Sequence, residues 1–92
     1  MKRQVNRLSS LAVSRAKEPG MYPDGMGLYL RIAEDGGRGW VYRYTRHKRT
    51  RYMGLGAASV TTLAEAREGA RTARAMLRQG IDPIDAKAEK VA

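Results

Sequence analysis

His47 is the only histidine of the chain, and no cysteine accompanies it. One imidazole without thiolates cannot assemble a zinc-type ligand cluster, so no metal is expected. His47 stands in the basic run Arg46-His47-Lys48-Arg49, with neither the nucleophile nor the orienting carboxylate that a catalytic triad requires. Gly25-Met-Gly27 and Gly54-Leu-Gly56 are lone glycine pairs without the Lys-Ser/Thr of a phosphate loop, and Asp24, Glu34 and Asp35 stand in turn-forming runs. No catalytic residue and no cofactor are therefore expected. What remains is cationic chemistry. Eighteen Lys and Arg against nine Asp and Glu leave a formal charge of +9 on 92 residues, which favours a polyanionic partner, nucleic acid first.

A chain of this length forms one small domain with one modest core. The absence of cysteine excludes disulfides and suits a reducing cytoplasm. The start MKRQVNRLSS has no apolar run of signal-peptide length, and nowhere do about 18 apolar residues follow one another, so no membrane partner is expected.

The charges need elements to position them. Ser9 and Ser10 before Leu11-Ala12-Val13 predict a short capped helix, stopped by Pro19-Gly20. The run Pro23 to Gly27 is turn chemistry. Residues 28–33, 39–45 and 49–55 alternate with the period of a half-buried strand, joined by the turns Glu34 to Gly37 and Arg46-His47-Lys48. Such short connections predict an antiparallel meander. Thr62 and Glu65 have capping-box spacing. From there Leu63, Ala66, Ala70, Ala73 and Leu77 recur at helical steps, so a helix is expected from 63 to 79, ended by Gly80. Asp82-Pro83 and the charged, Ala-rich IDAKAEKVA read as the start of a linker. The expected class is α+β: a three-stranded antiparallel sheet packed against a C-terminal helix, with a short N-terminal helix.

Alternation divides the sheet into two faces. Leu28, Leu30, Ile32, Trp40, Tyr42, Tyr44, Met53 and Leu55 form the side that the helix should cover. The other side carries Tyr29, Arg31, Val41, Arg43, Thr45, Thr50 and Tyr52, with no second helix to bury it. Candidate DNA-binding residues are Tyr29, Arg31, Arg43, Thr45 and Tyr52 on this face, with Arg46, His47, Lys48 and Arg49 in the turn. The competing reading is a solvated antiparallel face, where Arg, Thr and Tyr serve strand propensity alone. Arg67, Arg71, Arg74 and Arg78 form a stripe beside the helix's apolar face, best read as stems lying along the rim of the core. An RNA-binding module and a protein-interaction module remain alternatives, the first weakened by the lack of the RRM aromatic motif.

The order of motifs adds a resemblance. Asp24-Gly25 with Gly27-Leu-Tyr-Leu30, Trp40 with its alternating aromatics, Met53-Gly-Leu-Gly56, Leu63-Ala-Glu-Ala-Arg67 and Gly80-Ile-Asp-Pro83 together resemble the N-terminal arm-type DNA-binding domain of phage-integrase-like tyrosine recombinases. The likeness spans about residues 8 to 84. One departure is Ala57-Ala58-Ser59, where many relatives have an aromatic-proline pair. The resemblance implies a three-stranded sheet that enters the major groove of double-stranded DNA at arm-type attachment sites. It implies residues 1–84 as that domain and 85–92 as the beginning of a linker to core-binding and catalytic regions, through which other integrase subunits would be met. The isolated domain is expected to be monomeric. The family's tyrosine nucleophile belongs to the catalytic region, so none of the five tyrosines here is given that role.

Overall fold

The computed structural model describes residues 7–91, with side chains over 7–89. The basic residues 1–6, read above as lacking a signal peptide, lie outside the described residues, as does the last residue of the expected linker. The elements are α1 (Ser10–Arg15), β1 (Gly20–Gly25), β2 (Leu28–Ile32), β3 (Arg38–Arg46), β4 (Arg49–Ala57), α2 (Leu63–Arg78) and α3 (Pro83–Val91). The strands form one antiparallel sheet in the order β1-β2-β3-β4.

The α+β class agrees with the sequence, but the sheet has four strands, not three. The additional strand is β1, whose run GMYPDG shows no apolar alternation. It exists through pairing, with Met21 opposite Arg31 and Tyr22 opposite Leu30. Pro23 is tolerated because β1 is an edge strand, where a missing N–H disrupts no second ladder. The turn expected over Pro23 to Gly27 shrinks to Met26-Gly27. Gly27 has φ +92, and a Cβ there would come within 2.6 Å of the Arg43 carbonyl oxygen, so glycine is required.

The second difference is α3, in the segment read as the start of a linker. Gly80, at φ +78, ends α2 as expected, and Asp82-Pro83 starts a new helix. The Asp82 carboxylate accepts from the Ile84 and Asp85 amides at 2.9 and 3.3 Å, and Pro83 takes the first helical position, where its absent N–H costs nothing.

The other helices begin as expected. The Ser9 hydroxyl accepts from Ala12 N at 3.0 Å to cap α1. The capping box of α2 is complete, with Thr62 Oγ1 accepting from Glu65 N at 3.1 Å and Glu65 Oε1 accepting from Thr62 N at 2.9 Å. Helix α2 lies across β2, β3 and β4. Its small residues Ala66, Ala70 and Ala73 let it sit close on Leu28, Leu30, Ile32, Trp40, Tyr42 and Tyr44, and these nine residues are the buried core. Trp40, 2% exposed, also donates from Nε1 to the Thr61 carbonyl at 2.7 Å, which ties the loop before α2 to the sheet.

A candidate nucleic-acid interface on the open sheet face

With the helices on one side, the alternate residues of each strand emerge on the other. The register places them in rows: Met21, Arg31 and Gly39; then Pro23, Tyr29, Val41 and Gly54; then Arg43 and Tyr52; then Thr45 and Thr50. Met21, Tyr29, Arg31, Val41, Arg43 and Tyr52 line a shallow groove of about 600 Å³. Five expected residues, Tyr29, Arg31, Arg43, Thr45 and Tyr52, thus share one uncovered surface.

Arg43 is its centre. It is exposed, with Tyr52 opposite it on β4 and Tyr29 on the other neighbouring strand, and the two phenols, Tyr29 first, raise its pKa. Arg43 thus presents a permanently charged fork of donors on the open face, chemistry matched to paired acceptors such as guanine O6 and N7. Beyond it, Thr45 Oγ1 and Thr50 Oγ1 lie 3.0 Å apart, one hydroxyl donating to the other.

The hairpin tip behaves differently. His47 and Lys48 join β3 to β4 with φ of 53° and 64°, the positive pair of a type I′ turn. Asn-Gly relaxes such a turn, whereas the Cβ of most other residues strains it in the left-handed region. The chain therefore carries an imidazole and an ammonium at a position where its backbone would be more stable without them. Arg46 and Arg49 are opposite one another on the helix-side parity, not on the groove. Arg49 is exposed, but Arg46 is half-buried and donates from Nη2 to the Gly80 carbonyl at 2.8 Å. Reading Arg46 as a turn residue hid this: β3 continues through position 46, and alternation turns that side chain toward the end of α2.

Two carboxylate networks anchor the scaffold beneath. Asp24, read as a turn residue, is 2% exposed and meets Arg67, which donates from Nε and Nη2 at 2.9 Å each. Leu8 N donates to the same carboxylate at 2.9 Å, and Arg67 also donates to the Leu8 carbonyl. Burial opposes the charge on Asp24, but the Arg67 and Leu8 hydrogen bonds and the Arg67 charge outweigh it and hold its pKa below the ordinary range. Thus Arg67 is an ion-pair partner, while Arg74 reaches the Met26 carbonyl and Arg71 the exposed Glu68. At the other end, Asp82 accepts from Tyr44 Oη and from Arg51 Nη1 at 3.1 Å. Burial and the hydrogen bond to Asp82 push the Tyr44 phenol up to about 12. Asp82 itself is held low, its burial outweighed by the donors from Tyr44, Asp85 and Ile84 and by the Arg51 charge.

A sheet roofed by a helix on one face and presenting guanidinium, phenol and hydroxyl groups on the other is the layout of a β-sheet reader of nucleic acid. Known proteins narrow this class. Residues 2–90 match the family described as the Arm DNA-binding domain, and the chain belongs to that family. The chain is 37% identical over 76 residues to the integrase of Shigella phage Sf6, covering 83% of this chain and 20% of the relative. The figures are the same for the prophage integrase IntS of Escherichia coli (strain K12). The integrase of Enterobacteria phage P4 is 39% identical over 62 residues, 65% of this chain and 14% of that protein. The chain thus spans about a fifth of the length of the first two. It is a DNA-binding domain, and the family membership lends nothing to the RNA-binding and protein-docking alternatives. Among the described residues, no helix is long and apolar enough to cross a membrane.

Proposed function

We propose that the open sheet face lies in the major groove of double-stranded DNA and reads its sequence, with Arg43 and Arg31 donating to guanines and Tyr29, Thr45 and Tyr52 contacting neighbouring groups. His47, Lys48 and Arg49 at the hairpin tip meet phosphates. The observation that carries this reading is Arg43 exposed at the centre of a face that no element covers, with Tyr52 opposite it on β4 and Tyr29 and Arg31 on β2 beside it. In the whole protein this module grips arm-type attachment sites while a catalytic region performs DNA integration and recombination, as the names of its relatives suggest. Residues 85–92 lead toward that region, where other integrase subunits are engaged in the cytoplasm, and the isolated domain is a monomer.

The test begins with selection of a preferred duplex by the 92-residue chain from a randomised pool. Binding of Arg43→Ala to that duplex and to a scrambled one is then compared at fixed salt. A lost bidentate guanine contact weakens the preferred duplex by about ten- to a hundredfold and leaves the scrambled one nearly unchanged. Equal losses on both would reduce the face to a phosphate clamp.

A further inference from the structure

The groove is not uniformly polar. At its middle Val41 is half-buried, with Tyr29 beside it on β2 and Gly54 beside it on β4. One open-face position earlier on β3 is Gly39, next to Arg31. Two glycines therefore leave bare backbone around one aliphatic side chain, and Met21 adds a second apolar wall.

Gly54 has no internal reason to be glycine. Its φ is outside the left-handed region, and a Cβ built on it would meet nothing within 4 Å. The register shift next to it is accommodated by Gly56, at φ +118. Glycine inside a strand forfeits propensity and side-chain packing, and one reason for it is the close approach of a ligand from outside.

We propose that this hollow, with Val41 as its floor and Gly39 and Gly54 as its open sides, seats the 5-methyl group of a thymine, making Val41 a specificity-determining residue. The inference rests on the reading that this face enters the major groove. The thymine methyl is the apolar group of the major-groove edge, and the valine methyls are its complement, whereas Arg31 and Arg43 at the two ends of the hollow suit acceptors. Bare backbone at Gly54 lets the sheet come close enough for methyl to meet methyl. At about 3.3 Å per residue, Val41 lies about 7 Å along β3 from Arg43, which is about two base-pair steps for strands lying along the groove. The thymine is therefore read about two base pairs from the guanine that Arg43 takes.

The probe is the preferred duplex from the selection, resynthesised with deoxyuridine in place of each thymine in turn, which removes only the methyl. One such replacement weakens the unaltered chain by about fourfold, the effect of a single buried methyl. Val41→Ala binds thymine and deoxyuridine at that position equally. Gly54→Val puts its Cβ where nothing lies within 4 Å and its methyls into the hollow, so a chain that keeps its melting temperature loses its preference for the selected duplex. The proposal is overturned if no thymine is methyl-sensitive, if Val41→Ala keeps the sensitivity, or if folded Gly54→Val binds like the unaltered chain. Those results leave base reading by Arg43 intact. A pool that yields no enriched sequence overturns base reading and the methyl seat together.

Discussion

Arg67 and Asp24, on α2 and β1, meet through two parallel hydrogen bonds of 2.9 Å, and Arg67 continues to the Leu8 carbonyl. This fork joins the chain before α1, the edge strand and the long helix at one buried carboxylate. Truncating the arginine strands Asp24, which is 2% exposed, without its counter-charge. Arg67→Ala is therefore expected to lower stability by about 3 to 5 kcal/mol, measured by urea denaturation. Arg67→Lys, which supplies a point charge without the fork, should recover only part of the loss.

Acid should act through the same group and through Asp82. Both carboxylates have pKa values lower in the folded chain than in the unfolded one. Their stabilisation is fully present above the unfolded value of about 3.9 and is lost as pH falls through the lower folded values. Urea midpoints are expected to hold near neutrality and drop steeply below about pH 4. Tyr44 has the opposite sign at the alkaline end. Its phenol is pushed up to about 12, so its contribution persists below the unfolded value of about 10 and disappears as pH rises through 12. The Tyr44→Phe chain should lose that alkaline component while keeping the acid one from Asp24.

Trp40 supplies the largest fully buried side chain and a hydrogen bond to the loop before α2. Trp40→Ala is expected to cost about 3 to 5 kcal/mol, a large fraction of the stability of so small a domain. Circular dichroism melting measures it. A chain that kept its melting temperature but lost DNA binding would reverse the assignment of the two sheet faces.

Much of this arrangement was legible in the sequence, and the misses have identifiable causes. Strict alternation in Leu28–Ile32 and in Trp40–Thr45 separated the covered face from the open one, and Thr62 with Glu65 marked the start of α2. β1 escaped because its residues do not form a strand by their own preference; β2 recruits them. α3 escaped because an Asp-Pro pair, which forbids continuation of a helix through it, also caps a new one. Arg46 was misplaced because the strand outlasts the run of residues that looks like a turn. Alternation places Val41 on the open face, but an uncharged valine there is indistinguishable from strand propensity; the mid-strand Gly54 opposite it is the sequence signal that sets it apart.

The hairpin tip offers a prediction in which stability and binding move in opposite directions. Lys48 has φ 64, so Lys48→Gly relieves the left-handed strain and should raise stability by about 1 kcal/mol. The same change removes a charge from the tip. The slope of log K against log salt for duplex binding should become shallower by about 0.9 if Lys48 neutralises one phosphate. An unchanged slope would show that Lys48 contacts no phosphate.

The alternation along β2, β3 and β4 has an evolutionary corollary. Adjacent positions in a strand answer to different selective pressures, since one holds the molecule together and the next confronts whatever lies outside. Codon changes at Arg31, Val41, Arg43 or Tyr52 leave the nine core residues untouched, so a lineage can change the chemistry of the open face without passing through unfolded intermediates. The scaffold is thus a durable frame for a replaceable outer surface.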